Sequence, residues 1–478
     1  MVRGSRRSSR QHSRPQEHFV AGAAEQQYDV VILGGGSGGY ACALRSAELG
    51  LKVALVEKDL LGGTCLHRGC IPTKALLHAA EVADSAKESE TFGVRATFDS
   101  IDMAGVNKYK DGVIARLYKG LQGLVKSRKI DLVAGTGKLV AKNTVEVDGQ
   151  RYTGKAVVLA SGSYSRSLPG LEVGGRIMTS EQALALDSVP DRVVVLGGGV
   201  IGVEFASVWR SFGADVTIVE ALPHLVPLED EAASKALERA FRKRGIKFSL
   251  GVRFKGVEQT DSGVVVSLED GKTFEADLML VAVGRGPNTA GLGYEDQGIT
   301  MDRGFVLTDE RLRTNVEGVY AVGDIVPGLQ LAHRGFAQGI FVAEDIAGLA
   351  PAPIDELGIP KVTYCEPEVA SVGLTEAKAR EKYGDVDVVE YNLGGNGKSQ
   401  IIGTTGFVKL VRQKDGPVVG VHMVGSRMSE QVGEAQLIVN WEAYPDDVAS
   451  LVHTHPTQNE AVGEAFLALA GKPLHSHA

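Results

Sequence analysis

The strongest constraint on how this chain can fold is an internal repeat. Residues 29–57 read DVVILGGGSGGYACALRSAELGLKVALVE, and residues 192–220 read RVVVLGGGVIGVEFASVWRSFGADVTIVE. In register, Gly34, Gly36 and Gly39 fall on Gly197, Gly199 and Gly202, Gly50 on Gly213, and Glu57 on Glu220. Each copy is an apolar strand, a G-x-G-x-x-G turn, an amphipathic helix, a second apolar strand and a terminal acid. The glycine pattern alone is weak. With the strand before it, the helix after it and the acid about 20 residues on, and all of this twice, it defines two Rossmann-like dinucleotide-binding units. The glycines let the chain approach a pyrophosphate at a helix N-terminus, and the acid accepts hydrogen bonds from an adenosine ribose. The expected fold is α/β, with two dinucleotides on one chain.

Glu220 also chooses between nucleotides. A carboxylate there welcomes a 2′-hydroxyl and repels a 2′-phosphate, and Ala221-Leu222-Pro223-His224 offers no arginine to clamp one. NAD rather than NADP is expected at the second unit.

Four cysteines occur in 478 residues, and two stand close together in Gly62-Gly63-Thr64-Cys65-Leu66-His67-Arg68-Gly69-Cys70-Ile71-Pro72-Thr73-Lys74. Pro72 fits the first turn of a helix. Cys70 is then expected just before a helix N-terminus, where the partial positive charge favours a thiolate. Lys74 adds a cation about one turn on. The pair reads as a redox disulfide, one of whose thiols ionises easily. A structural disulfide is the bland alternative, but Cys42 and Cys365 lie far off in sequence. Zinc would want a second pair of ligands where only His67 stands, so no metal is expected.

Composition excludes some partners. The net charge of −8 argues against nucleic acid, and no apolar run is long enough to cross a bilayer. The length suits about three domains. Residues 1–26, with Arg3, Arg6, Arg7, Arg10 and Arg14 among serines, read as a disordered basic arm. A mitochondrial transit peptide has the same composition. The cytoplasm is the expected compartment, with the mitochondrial matrix as the alternative.

Further motifs follow in order: Val283-Gly284-Arg285-Gly286-Pro287-Asn288, then Val319-Tyr320-Ala321-Val322-Gly323-Asp324, then His453-Thr454-His455-Pro456-Thr457-Gln458-Asn459-Glu460. With the cysteine segment and the second nucleotide unit, they make the chain resemble the flavin-dependent pyridine nucleotide–disulfide oxidoreductases from about Tyr28 to Leu474. The likeness is to the branch that acts on lipoamide. The resemblance implies two Rossmann-like domains plus a C-terminal α+β dimerisation domain. Residues 27–165, continued by 285–357, would bind FAD through Gly34, Gly36, Gly39, Glu57, Lys58, Gly63, Thr64, Lys74, Ser161, Gly162, Asp324 and Ala332. Residues 166–284 would bind NAD through Gly197, Gly199, Gly202, Glu204, Glu220 and Gly284, and residues 358–478 would form the homodimer interface.

The same resemblance implies roles. Cys65 would be the interchange thiol and Cys70 the charge-transfer thiol against the flavin. Lys74 and Glu204 would pair beside the flavin, with Glu204 on the first turn of its helix. His455, oriented by Glu460 and followed by a cis bond to Pro456, would be the base, delivered from the partner subunit; His453 reads as structural. Lipoyl domains of 2-oxo acid dehydrogenase complexes or of the glycine cleavage system would be the partners. One departure stands out: His67-Arg68 replaces the usual Asn-Val and adds positive charge beside the disulfide. It keeps open a reductase of another small disulfide, of the glutathione or mycothiol type, although such enzymes generally take NADPH and Glu220 speaks against that. Mercuric reductase is disfavoured because no cysteine follows Cys365. A flavoprotein serving only as a structural subunit of a large complex is the other class, and the retained Cys65, Cys70, His455 and Glu460 argue against it.

Overall fold

The apolar run of the first repeat copy forms the strand Gln26–Leu33, in which Val30, Val31 and Ile32 are fully buried, as a central parallel strand requires. The computed structural model describes residues 26–475. The basic arm assigned to residues 1–26 therefore lies outside the described residues, except that Gln26 already belongs to this strand. It runs parallel to Val53–Glu57 on one side and to Gln150–Leu159 on the other. Asp131–Ala134, Lys138–Ala141 and Thr144–Val147 extend the same sheet. A late strand, Val319–Ala321, returns to it and lies parallel to Gln150–Leu159. This return delivers Gly323 and Asp324 to the C-terminal edge of the sheet, beside the first glycine turn.

The second copy builds a parallel five-stranded sheet in the order Lys247–Leu250, Asp215–Glu220, Arg192–Leu196, Leu278–Val281, Ile177–Thr179. An antiparallel ribbon, Phe254–Gln259, Val264–Leu268 and Thr273–Ala276, shares an apolar cluster with it. From Lys361 onward the chain forms an antiparallel five-stranded sheet ordered Lys361–Thr363, Glu368–Gly373, Val418–Gly425, Phe407–Gln413, Val386–Asn392. The helix Glu460–Leu469 buries Ala461, Val462, Ala465 and Phe466 in the core of that sheet, at helical spacing. Among the described residues no helix is long and apolar enough to cross a membrane.

Candidate active site

Two of the three glycines in each turn are required by the chain itself. Gly34 has φ 112°, and a Cβ there would lie 2.2 Å from the Ala160 carbonyl oxygen, while one on Gly39 would lie 1.8 Å from that of Gly34. Gly197 and Gly202 repeat this, at 2.3 Å from the Ala282 oxygen and 1.9 Å from that of Gly197. The middle glycines differ. Gly36 (φ −72°, ψ −170°) and Gly199 (φ −75°, ψ −175°) have ordinary extended backbones, and a Cβ on either would meet no protein atom within 4 Å. Nothing in the folded chain demands glycine there. The open space leaves room for a group to approach the backbone at the helix N-terminus, the place where such turns hold a pyrophosphate.

The terminal acids brace both turns in the same way. Glu57 accepts from the Gly35 N–H at 2.7 Å and the Asp59 N–H at 2.8 Å; Glu220 accepts from Gly198 at 2.6 Å and Leu222 at 2.8 Å. Each carboxylate oxygen keeps a second lone pair for ribose hydroxyls. Both turns therefore fit a dinucleotide.

The two turns open into one cavity of about 1640 Å³, larger than the roughly 300–1,000 Å³ of a single-ligand pocket. Gly36, Thr64, Cys65, Cys70, Lys74, Gly162, Gly197, Gly199, Glu204, Glu220, Gly284, Asp324 and Ala332 line it. Gly63 stands behind the first turn, where a Cβ would come within 2.7 Å of the Gly36 Cα. Lys58 follows Glu57 on the surface. The Ser161 hydroxyl is committed within the protein, donating to the Asn288 carbonyl at 2.7 Å and accepting from Tyr294 at 2.9 Å. Asp324 accepts from Ser163 at 2.5 Å, and Arg285 donates to the same serine at 2.7 Å.

The thiol pair spans two helices, Gly63–Arg68 and Cys70–Glu88. Cys70 is the first residue of the second helix, where it had been expected just before the helix; Gly69, at φ −146° and ψ −107°, takes the break between them. Pro72 falls in the first turn and Lys74 one turn beyond Cys70, as that spacing demands. Cys65 and Cys70 are both free thiols, close enough to shift each other's ionisation. The hydrogen bond from Cys65 and the positive charge of Lys74 outweigh burial and hold Cys70 down at about 7. Cys65 is pushed up, first by the same hydrogen bond and then by burial. This asymmetry makes Cys70, rather than Cys65, the thiol that ionises first. Ser37 and Tyr40, which the motifs did not single out, stand against the pair.

Lys74 donates to both oxygens of Glu204 at 2.9 Å. Glu204 is 3% exposed and also accepts from the Tyr364 N–H at 2.9 Å, and the Tyr364 ring lies 4.6 Å from the Lys74 ammonium. The expected first-turn position of Glu204 is corrected: its helix is Val200–Phe212, so Glu204 sits in the second turn. Its charge is compensated by Lys74 and the Tyr364 amide, with the helix terminus too far away to matter much. Lys74→Arg and Glu204→Gln are each expected to slow flavin reduction by NADH about ten-fold while FAD stays bound, because a guanidinium does not reproduce the ammonium's contacts with both oxygens of Glu204 and an amide leaves the ammonium without its counter-charge. Rapid mixing with NADH, alongside FAD content, checks this; unchanged rates in both variants would remove the pair from the site.

The positive charge expected beside the cysteine pair meets an acid. Arg68 lines the cavity but forms an ion pair with Asp59. His67 turns away, its Nε2 2.9 Å from the Leu61 carbonyl and its ring edge-on to Tyr118. At the second turn the structure adds a residue from outside the 221–224 segment. Arg253 lines the cavity, and its neighbour Val252 donates to the Glu220 carbonyl oxygen at 3.3 Å. No local signal points there, because the strand pairing that brings it in lies about thirty residues downstream of Glu220. Glu220 still opposes a 2′-phosphate, and like charges facing each other cost several kcal/mol. We expect NADH to be preferred over NADPH by about 100-fold in kcat/KM. Steady-state assays with both check this, and a preference for NADPH would overturn the reading of Glu220.

His455 is not brought to the thiols of its own chain. Its side chain is 77% exposed, with Nδ1 2.7 Å from Glu460, and neither residue lines the cavity. Glu460 also accepts from the Thr457 N–H at 2.7 Å, and the His455–Pro456 bond is cis. His453 instead pairs with Glu434 at 3.0 Å. Val452 (97% exposed), Leu451, Tyr444 and Trp441 make the same end of the chain unusually apolar, the kind of surface that another chain covers.

Residues 28–339 match the pyridine nucleotide-disulphide oxidoreductases, and residues 359–466 match the dimerisation domain of that family. The chain belongs to the pyridine nucleotide-disulphide oxidoreductase family. It is 40% identical over 470 residues to a dihydrolipoyl dehydrogenase of Bacillus subtilis (strain 168), a match covering 94% of this chain and 99% of that protein. Among solved structures it is similar to LpdA from Mycobacterium tuberculosis, with a TM-score of 0.86 and 27% identity over 93% of this chain and 99% of that one. The Cu(II) complex of RclA, an HOCl-induced flavoprotein disulfide reductase from Escherichia coli, matches with a TM-score of 0.83 and 26% identity, over 93% of this chain and 100% of that one.

Proposed function

We propose that this chain, as a homodimer, oxidises dihydrolipoamide carried on a lipoyl domain to lipoamide and delivers the two electrons to NAD. Residues 27–165 and 285–357 would hold FAD, 166–284 NAD, and 358–478 the dimer interface. The partners would be 2-oxo acid dehydrogenase complexes or the glycine cleavage system, in the cytoplasm. One observation carries the reading: a thiolate-favouring Cys70, with the Lys74 charge nearby, lies in the same cavity as two glycine turns whose middle positions are open to a ligand.

When bound, FAD supplies the two-electron bridge between the sulfur pair and the nicotinamide. The chain's own residues do the rest. His455 takes a proton from the substrate dithiol, whose free pKa of about 8.5 would otherwise keep it largely protonated. The substrate thiolate attacks Cys65 of the Cys65–Cys70 disulfide; the S–S bond breaks and Cys70 leaves as a thiolate. The second substrate thiol then attacks the mixed disulfide and lipoamide departs as the cyclic disulfide; His455 hands the first proton to the departing Cys65 and takes the second thiol's proton in its place. Glu460 holds the imidazole in orientation and supports its positive charge. The electron pair now rests on Cys70, with Lys74 beside it, and re-forming the Cys65–Cys70 disulfide passes it on.

Anaerobic mixing of the purified yellow protein with dihydrolipoamide, then NAD, tests this. A long-wavelength band followed by NADH is the expected result. A flavin that NADH reduces but dihydrolipoamide does not would move the substrate to another disulfide, with Arg68 at the cavity wall the first residue to vary.

A further inference from the structure

The C-terminal sheet carries a polar row across four of its strands. Lys361 pairs in register with Ser371, Ser371 with His422, and His422 with Lys409. Directly opposed residues point to one face, so these four side chains form a polar band on one face of the sheet, which Glu390, opposite Lys409, continues onto the fifth strand. The band meets one dipeptide of the nucleotide domain. Lys361 pairs with Glu229 at 3.1 Å, and the Ser371 hydroxyl donates to the same carboxylate. Lys409 pairs with Asp230 at 2.8 Å. Asp230 also accepts from the Glu376 N–H at 2.9 Å and caps the helix Glu231–Lys243 by accepting from Ala232 at 3.1 Å.

Glu229 and Asp230 end the segment that leaves Glu220. Its Leu222, Pro227, Leu228 and Glu229 line the cavity together with Gly197 and Gly199, and Leu222 and Leu228 are exposed there without cover. Within it Val226 has φ 43°, a left-handed conformation that a β-branched residue adopts only under constraint. Proline follows, which narrows the choices further. The Val226 N–H donates to the Gly198 carbonyl at 2.8 Å, and the Glu229 N–H to that of Val226 at 2.9 Å. A strained turn thus rests directly on the second glycine turn, and the polar row holds its far end. Lys409 is 6% exposed and Asp230 2%. A buried ion pair of this kind is weak as a source of stability, and a packed apolar pair would serve folding as well. Its retention needs a geometric reason.

We propose that Lys409, supported by Lys361 and Ser371, is a positioning residue for NAD: the C-terminal sheet clamps Glu229 and Asp230, and so keeps the strained 226–229 turn in place as a wall of the nucleotide site. This rests on the reading that NAD occupies the second glycine turn. Nucleotide binding at one domain then depends on charges contributed by another.

The test uses the FAD-loaded dimer with Lys409→Met, which keeps the length and removes the charge. The KM for NAD is expected to rise about ten-fold with kcat nearly unchanged, the pattern of lost uniform binding. Dithiol-driven flavin reduction, which does not involve this segment, should stay at the parent rate, and Lys409→Arg should recover much of the NAD affinity. A lower melting temperature with an unchanged KM for NAD would make the row merely structural and overturn the proposal. If Lys409→Met does not fold, Ser371→Ala is the milder probe, expected to raise the KM about three-fold; no rise would overturn the proposal. Failure of the NAD reading itself would show separately, in the parent protein, as no NADH formed from dithiol and NAD.

Discussion

Cys65→Ser should give a yellow protein that NADH still reduces and dihydrolipoamide does not. Turnover with the dithiol is expected to fall by about a thousand-fold or more, as loss of a covalent reaction centre does. The substrate can no longer form a mixed disulfide, whereas the path from the second glycine turn to the flavin is untouched. The same variant isolates Cys70. A serine hydroxyl can donate in place of the Cys65 thiol, and Lys74 remains, so the causes that hold Cys70 at about 7 persist. Because the shift is downward from the ordinary thiol value, the thiolate is the form present above that pH. A long-wavelength band should therefore grow as pH rises through about 7 and fade as it drops below. A band absent at every pH would mean that Cys70 does not face the flavin. Full dithiol activity in Cys65→Ser would remove the thiol pair from the reaction altogether.

His455→Ala should cost about 10²–10⁴-fold in dithiol turnover, the usual worth of a positioned acid–base group. The more telling experiment mixes two inactive chains. His455 is 77% exposed on its own chain and absent from the cavity that Cys65 and Cys70 line, so the reading places it across the dimer. A mixed dimer of Cys65→Ser and His455→Ala then contains one intact site, with the cysteines of one chain facing the histidine of the other. Random reassociation of equal amounts should restore roughly a quarter of the parent activity, because half the dimers are mixed and each has one working site of two. Should the mixture stay inactive while the parent survives the same dissociation and reassociation, His455 does not act across the interface.

Much of the chemistry was legible from local pattern. The two glycine turns are readable because their first and third residues answer constraints a few residues away: a positive φ, and contact between a helix and the strand it follows. The Cys70–Lys74 spacing is equally local, since one helical turn sets it. Where local reasoning slipped, it slipped by a residue or a turn. It put Cys70 before its helix and Glu204 in the first turn, because a helix boundary depends on where the preceding loop breaks. The surroundings of His67-Arg68 lay beyond local reasoning for a different reason. Arg68 pairs with Asp59, and only the folded loop shows which acid a surface arginine meets.

Sequence alone determined that this chain carries two dinucleotide-binding turns, that two of its cysteines stand together beside a lysine, and that His455 and Glu460 belong to one unit, because each of these is written within about thirty consecutive residues. Tertiary structure alone decided what those units meet. Tyr364 reaches Glu204, Arg253 joins the second turn, and Lys409 clamps Asp230, although long stretches of chain separate the partners. No periodicity records such contacts. They follow from how three sheets pack, and packing is set by the sum of many apolar contacts that no single residue announces.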